Sequence, residues 1–207
     1  MRETARPLNG RIVALAALAV LTTAPAPSGP PSHPADFGRL ATAAAQDPAA
    51  PRAGTARHSP QPERVLVPAV GLDARVRPVG VTGQGAMAVP ADPSVAGWYR
   101  FGPVPGSPGG SAVLVGHVDS DTGALGEFAA LYDVRAGDRV EVRREGAGPV
   151  AYRVLSRTTV PKDALPASLF RRTGAPVLTL ITCAPPFVPE QGGYLSNLVV
   201  TAQPSPA

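Results

Sequence analysis

Short apolar runs separated by turn residues organise the chain from Arg64 to about Gln203. Val65-Leu66-Val67 and Ala74 to Val79 are the first two runs. Ala112-Val113-Leu114-Val115 is continuously apolar, as expected of a strand covered on both faces. Arg139-Val140-Glu141-Val142-Arg143 alternates polar and apolar, the period-two pattern of a half-exposed strand. Val150 to Thr159, Val177 to Thr182 and Leu198 to Ala202 complete the set, with turn signals such as Ala136-Gly137-Asp138 and Glu145-Gly146 between them. Helical periodicity is confined to Leu125–Tyr132 and Asp163–Phe170, each about two turns long. Many short strands at regular spacing predict a mainly β domain, a barrel or a sandwich. A doubly wound α/β fold needs longer helices between its strands than this sequence holds.

The N-terminal part reads differently. Arg2, Arg6 and Arg11 precede the apolar run Ile12 to Leu21, which leads into Thr22-Thr23-Ala24-Pro25-Ala26. A basic start, an apolar stretch and small residues make a secretory signal over residues 1–26. The run is near the lower limit for a membrane span, so a cleaved signal peptide and a retained signal-anchor both fit. Residues 27–63 are rich in Pro, Ala, Ser, Thr and Gly, and their only large apolar residues are Phe37 and Leu40. Such a stretch buries too little to offset its ordering entropy, and it is expected to be a disordered linker. The domain organisation is then signal or anchor, linker, and a domain over residues 64–203.

Charge changes the picture little. The formal charge is +4, and no basic run is interleaved with aromatics, so no nucleic-acid partner is expected. The single cysteine, Cys183, allows no internal disulfide in an exported chain, and a lone exported thiol is a candidate reactive group.

Two segments place chemistry at strand ends. Leu114-Val115-Gly116-His117-Val118-Asp119-Ser120 and Leu178-Thr179-Leu180-Ile181-Thr182-Cys183-Ala184-Pro185-Pro186 are apolar strands that each finish in a reactive side chain. A residue there is held by the sheet yet open to a cleft. Cys and His suit acyl transfer, the thiolate attacking a carbonyl and the imidazolium protonating the leaving amine. With unperturbed pKa values both groups are in the active state in roughly 1% of molecules at pH 7, so the surroundings must favour the ion pair. His33 and His58 fall in the linker. Asp119 reaches His117 only if the strand continues past it. Asp119 and Asp121 fall short of the roughly six to eight oxygens of a calcium site, and neither a metal nor another cofactor is expected. Trp98 and Phe187 are expected to be packing residues.

These strings resemble those of the sortase family, class F of high-GC Gram-positive bacteria above all. Thr179-Leu180-Ile181-Thr182-Cys183 resembles the T-L-x-T-C signature, and Gly116-His117-Val118-Asp119 its G-H strand end. Pro68-Ala69-Val70-Gly71-Leu72-Asp73-Ala74 resembles the opening strand, and Gly97-Trp98-Tyr99 precedes the His strand as in the family. Phe128 to Asp138 resembles the F-x-x-L-x-x-[LV]-x-x-G-D segment, and Tyr194 with Asn197-Leu198-Val199-Val200 the last strand. The resemblance implies an eight-stranded β-barrel with one or two short helices. It implies a cysteine transpeptidase that cleaves an L-P-x-T-G-like sorting signal of surface proteins, with Cys183 as nucleophile and His117 as acid and base. The acceptor would be an amine of a cell-wall precursor or a pilin, and the location extracytoplasmic, at the membrane or in the envelope. Two departures stand out. The family carries an arginine between the Cys and the end of the final strand, and here no Arg or Lys follows Arg172. Asn197 or Arg100, or else Arg171 or Arg172, is expected to take over substrate and oxyanion support. Pro185, which has no N–H, stands where class F sequences often have Gly. The alternatives are a non-catalytic envelope-binding module on the same barrel and a thiol hydrolase of the same peptides.

Overall fold

The apolar runs become eight strands in a computed structural model, which describes residues 35–40 and 59–206. The expected signal segment lies outside the described residues. Among the described residues no helix is long and apolar enough to cross a membrane. The strands are β1 (Pro62–Val67), β2 (Leu72–Val79), β3 (Val95–Tyr99), β4 (Ser111–Val115), β5 (Arg139–Arg144), β6 (Ala147–Pro161), β7 (Val177–Val188) and β8 (Gly193–Pro204). They close into a barrel in the order β1-β2-β3-β4-β7-β8-β6-β5. Closure pairs every strand on both sides and so removes the free edges of an open sheet.

Sequence pattern and burial agree strand by strand. In β2, Leu72, Ala74 and Val76 point inward and the residues between them are exposed. In β5, Val140 and Val142 do the same. The continuous apolar runs belong to the parallel pair of β4 with β7, which is buried on both faces. A parallel pair needs a long crossover, and the chain between these two strands supplies β5 and β6 on the way. Phe128, Leu131, Tyr152, Leu178 and Leu198 fill the interior. Trp98 packs there as expected, its indole N–H donating to the Pro103 carbonyl at 3.1 Å. Phe187 instead stays exposed, its ring edge-on to Tyr194. The expected helices are 3-10 turns, at Glu127–Asp133, Lys162–Ala164 and Ala167–Phe170.

Part of the expected linker is built into the domain. β6 outruns β5, whose register ends at Arg139 opposite Arg153. Beyond that point β6 has backbone groups without a neighbouring strand, and residues 35–40 supply the partners. Phe37 and Arg157 exchange two backbone hydrogen bonds of 2.9 Å. The Asp36 carboxylate accepts from the Thr159 N–H at 2.8 Å. Phe37 packs on the main core, and Leu40 on a second cluster with Val113, Leu169 and Val199. The two large apolar residues of the stretch are thus the ones that dock.

Arg157 ties this segment to the interior. The residue is 3% exposed, and its guanidinium donates to the carbonyls of Val134 (2.9 Å), Ala35 (2.8 Å) and Tyr132. Phe37 covers it, with the ring centroid 5.1 Å from Cζ.

Candidate active site

The β4–β7 pairing sets the geometry of the site. Its last register pair is Val115 with Ile181, and the Gly116 N–H still donates to the Ile181 carbonyl at 3.1 Å. His117 follows two residues after Val115, past the end of β4, and Cys183 two residues after Ile181, within β7, and both line one cavity. Side-chain hydroxyls lock the two strands together. Thr182 donates to the Gly116 carbonyl at 2.9 Å, and Ser111 and Thr179 share a buried hydrogen bond of 2.9 Å. Each removes an unsatisfied polar group from the interior. The threonines of the T-L-x-T-C string therefore have a structural reason of their own.

The segment after Leu125 wraps the histidine. Phe128 N–H donates to the His117 carbonyl at 3.2 Å, and Gly126 N–H to the Val118 carbonyl at 2.9 Å. A Cβ on Gly126 would stand 2.4 Å from the His117 carbonyl oxygen, and one on Gly116 would stand 2.5 Å from the Phe128 ring. Both contacts require glycine. Gly116→Ala is expected to cost about 1–3 kcal/mol through overpacking. A fall in melting temperature, partly restored by adding Phe128→Leu, would show it. A variant as stable as the wild type would show that Phe128 has room to move.

His117 is fixed from a third side. Its Nε2 lies 2.7 Å from the Pro90 carbonyl, which can only accept, so Nε2 carries a proton and Nδ1 is the other exchangeable position. Asp119 does not orient the ring. β4 has ended by then, and the Asp119 carboxylate accepts from the Tyr194 hydroxyl. That bond, with burial second, pushes the Tyr194 phenol up to about 12. Tyr132 also reaches the site, donating its hydroxyl to the Cys183 carbonyl at 3.1 Å. Burial first, then the charges of Cys183 and Asp119, push it up to about 12.

Cys183 is half-buried, and burial pushes its thiol up. The charge of Lys162 pulls it down and that of Asp119 pushes it further up. Cys183 and His117 line one cavity of about 440 Å³, with Lys162, Asn197, Val89 and Phe170 among its walls. His117 also borders a second cavity of about 420 Å³, lined by Asp119 and Asp121 among others. Asn197 stands directly opposite Cys183 in the β7–β8 register. Pro185 and Pro186 fall in a register irregularity between Ala184 and Phe187, where a strand tolerates residues without an N–H.

Of the residues proposed from sequence, the cavity brings together His117, Cys183 and Asn197. It does not include Arg100, which lies over the Phe101 ring at 4.8 Å. Arg171 and Arg172 are not in its walls either, and Arg171 instead donates to the carbonyls of Ser168 (3.4 Å) and Ala175 (3.1 Å). Sequence reasoning missed Lys162, the Tyr132 hydroxyl and the Pro90 carbonyl. A lysine between two strands and a backbone oxygen give no pattern to read. Tyr132 lay inside a recognised segment but carried no sign of its partner.

Known proteins agree with this fold. A family profile for the sortase domain matches residues 65–205. Sortase C-1 of Actinomyces oris is 23% identical with a TM-score of 0.55, over 70% of this chain and 73% of that one. Sortase C2 of pilus island 1 of group B Streptococcus is 23% identical with a TM-score of 0.53, over 69% and 73%. A pilus-related sortase C of the same bacterium is 20% identical with a TM-score of 0.53, over 72% and 70%. No curated protein matches the sequence. The match over residues 65–205, together with the closed eight-stranded barrel, places the chain in the sortase family, whose members are generally cysteine transpeptidases.

Proposed function

We propose that this protein is a cysteine transpeptidase of the class F type that cleaves an L-P-x-T-G-like sorting signal and passes the acyl group to a cell-wall or pilin amine. The observation that carries the reading is one largely apolar cavity walled by both His117, just past the end of β4, and Cys183, within β7. Such a cavity suits an extended peptide, with its scissile carbonyl at the thiol. The form of the last strand, Tyr194 and Asn197-Leu198-Val199-Val200, supports the class.

The steps follow from the groups present. In the free protein burial favours the neutral thiol of Cys183. Proton transfer from sulfur to the imidazole gives thiolate and imidazolium. The thiolate attacks the carbonyl carbon, the C–N bond breaks, and His117 returns its proton to the leaving amine. The acceptor amine then attacks the thioester, its proton passes to His117, and the sulfur leaves as thiolate. The oxyanion needs donors, and Asn197 opposite Cys183 offers one amide N–H. Removing one such donor typically costs about 2.7–4 kcal/mol of transition-state stabilisation.

Mass spectrometry of the full chain with an L-P-x-T-G-type peptide tests this, with and without an amine. The expected result is an acyl adduct on Cys183 that converts to amine-linked product and is absent in Cys183→Ala. Release to water alone, with amine in excess, would favour a hydrolase. No adduct from a folded chain whose thiol still accepts an alkylating reagent would overturn the reading.

A further inference from the structure

An anionic sulfur in this cavity needs a cation, because its walls are mostly apolar and burial disfavours the charged form. Among the described residues Lys162 is the only Lys or Arg in those walls. It is also the only lysine of the sequence, among 19 basic residues. Strand register explains why it reaches the site. Cys183 pairs with Asn197, and Asn197 pairs with Val160 on β6. β6 ends one residue later at Pro161, and Lys162 opens the 3-10 turn that follows, at the rim of the cavity. Its side chain is exposed, and a flexible four-carbon stem can bring an ammonium to the sulfur without fixed hydrogen-bond geometry. The sequence-proposed arginines are held elsewhere, Arg100 over Phe101 and Arg171 on two carbonyls.

We propose that the ammonium of Lys162 is a standing cation that favours the Cys183 thiolate alongside the transient His117 imidazolium, a reading that rests on Cys183 being the nucleophile. Four other titratable groups face the sulfur or border its cavity. His117 is on the end of β4, and Asp119 follows it in the same loop. Tyr132 comes from the Glu127–Asp133 turn, and Tyr194 from β8. The Asp119 charge opposes the thiolate but is engaged by the Tyr194 hydroxyl. Lys162 acts in the opposite sense to Asp119, and through space, so it is a positioning residue.

Cys183 is the only cysteine, so alkylation by iodoacetamide reports on it alone. The rate is measured on the full chain from about pH 6 to about pH 10, across the ordinary thiol range. Wild type is compared with Lys162→Met, Lys162→Arg and Lys162→Glu. Losing the cation makes the thiolate harder to form, so the rise in rate moves to higher pH in Lys162→Met and further in Lys162→Glu. Lys162→Arg keeps the wild-type profile. At neutral pH the Met variant reacts roughly threefold more slowly, as fits a screened charge contact at a surface. Salt at about 1 M, where the Debye length is about 3 Å, moves the wild-type profile towards that of the Met variant and leaves the latter in place. A Met profile that superimposes on wild type overturns the proposal. So does a lower rate at every pH with an unmoved midpoint, which is the mark of a structural role. The assay uses no peptide. A moved midpoint in a protein that forms no acyl adduct supports the Lys162 assignment while removing the transpeptidase reading.

Discussion

His117→Ala is expected to slow acyl transfer by about 10²–10⁴-fold, the usual contribution of a positioned general acid and base. The imidazole serves twice in the proposed cycle, protonating the leaving amine and then taking the proton of the acceptor. Its position is set by parts that do not move with its side chain. The strand register, the Gly126–Phe128 wrap and the Pro90 carbonyl hold the ring from three sides. The half-buried ring can therefore be removed with the barrel intact. Single-turnover peptide cleavage measures the effect, with circular dichroism as a check on the fold. Loss of less than about tenfold would assign the proton transfers to another group. The wild-type rate should follow a bell in pH, with limbs that belong to the Cys–His pair as a unit. The alanine variant should keep only the rising limb of the thiol, which burial places above the ordinary range.

Arg157→Met is expected to be strongly destabilising. The substitution keeps the apolar stem but removes the guanidinium, leaving the carbonyls of Tyr132 and Val134 without their buried donor. Each unsatisfied buried acceptor costs roughly 1–3 kcal/mol, so about 3 kcal/mol is a fair expectation. At roughly 2–4 °C per kcal/mol for a chain of this size, the melting temperature should fall by about 10 °C. The damage should reach the site as well. Tyr132 holds the Cys183 carbonyl through its hydroxyl and is itself held by Arg157 through its own carbonyl. Arg157→Lys should recover only part of the loss, since one ammonium cannot reproduce a planar fork. A melting temperature unchanged within about 2 °C would mean that water satisfies those carbonyls.

The barrel was legible because its strands differ in kind. The period-two pattern of Arg139–Arg143 and the continuous run of Ala112–Val115 foretold a half-exposed and a fully covered strand, and both formed. That His117 and Cys183 share a cavity was legible because apolar runs lead up to both and family-like strings frame them, whereas Cys183, expected at a strand end, lies within β7, which continues to Val188. What escaped was information held between segments. Residues 35–40 read as linker by composition, since nothing local shows that β6 outruns β5 and lacks a partner there. Arg100 looked available beside Tyr99, yet an aromatic neighbour one residue on captured it. Lys162 carried no pattern at all, and only the pairing of three strands brings it to the thiol. Leu125–Tyr132 read as two helical turns, and a 3-10 turn formed there that starts two residues later and ends one later.

The docked segment also decides where mechanical load enters the molecule. Phe37 is fastened to β6 and Pro62 begins β1, so the sequence is attached to the barrel at two separate points on the N-terminal side. Tension arriving from the N-terminal side is therefore borne first by the Phe37–Arg157 backbone pair and the Asp36–Thr159 bond, not by β1. The sequence between Phe37 and Pro62 is roughly 25 residues, a contour of about 85 Å at full extension. The bonds that meet such a load first sit on β6, the strand whose other end at Pro161 adjoins Lys162 in the wall of the cavity.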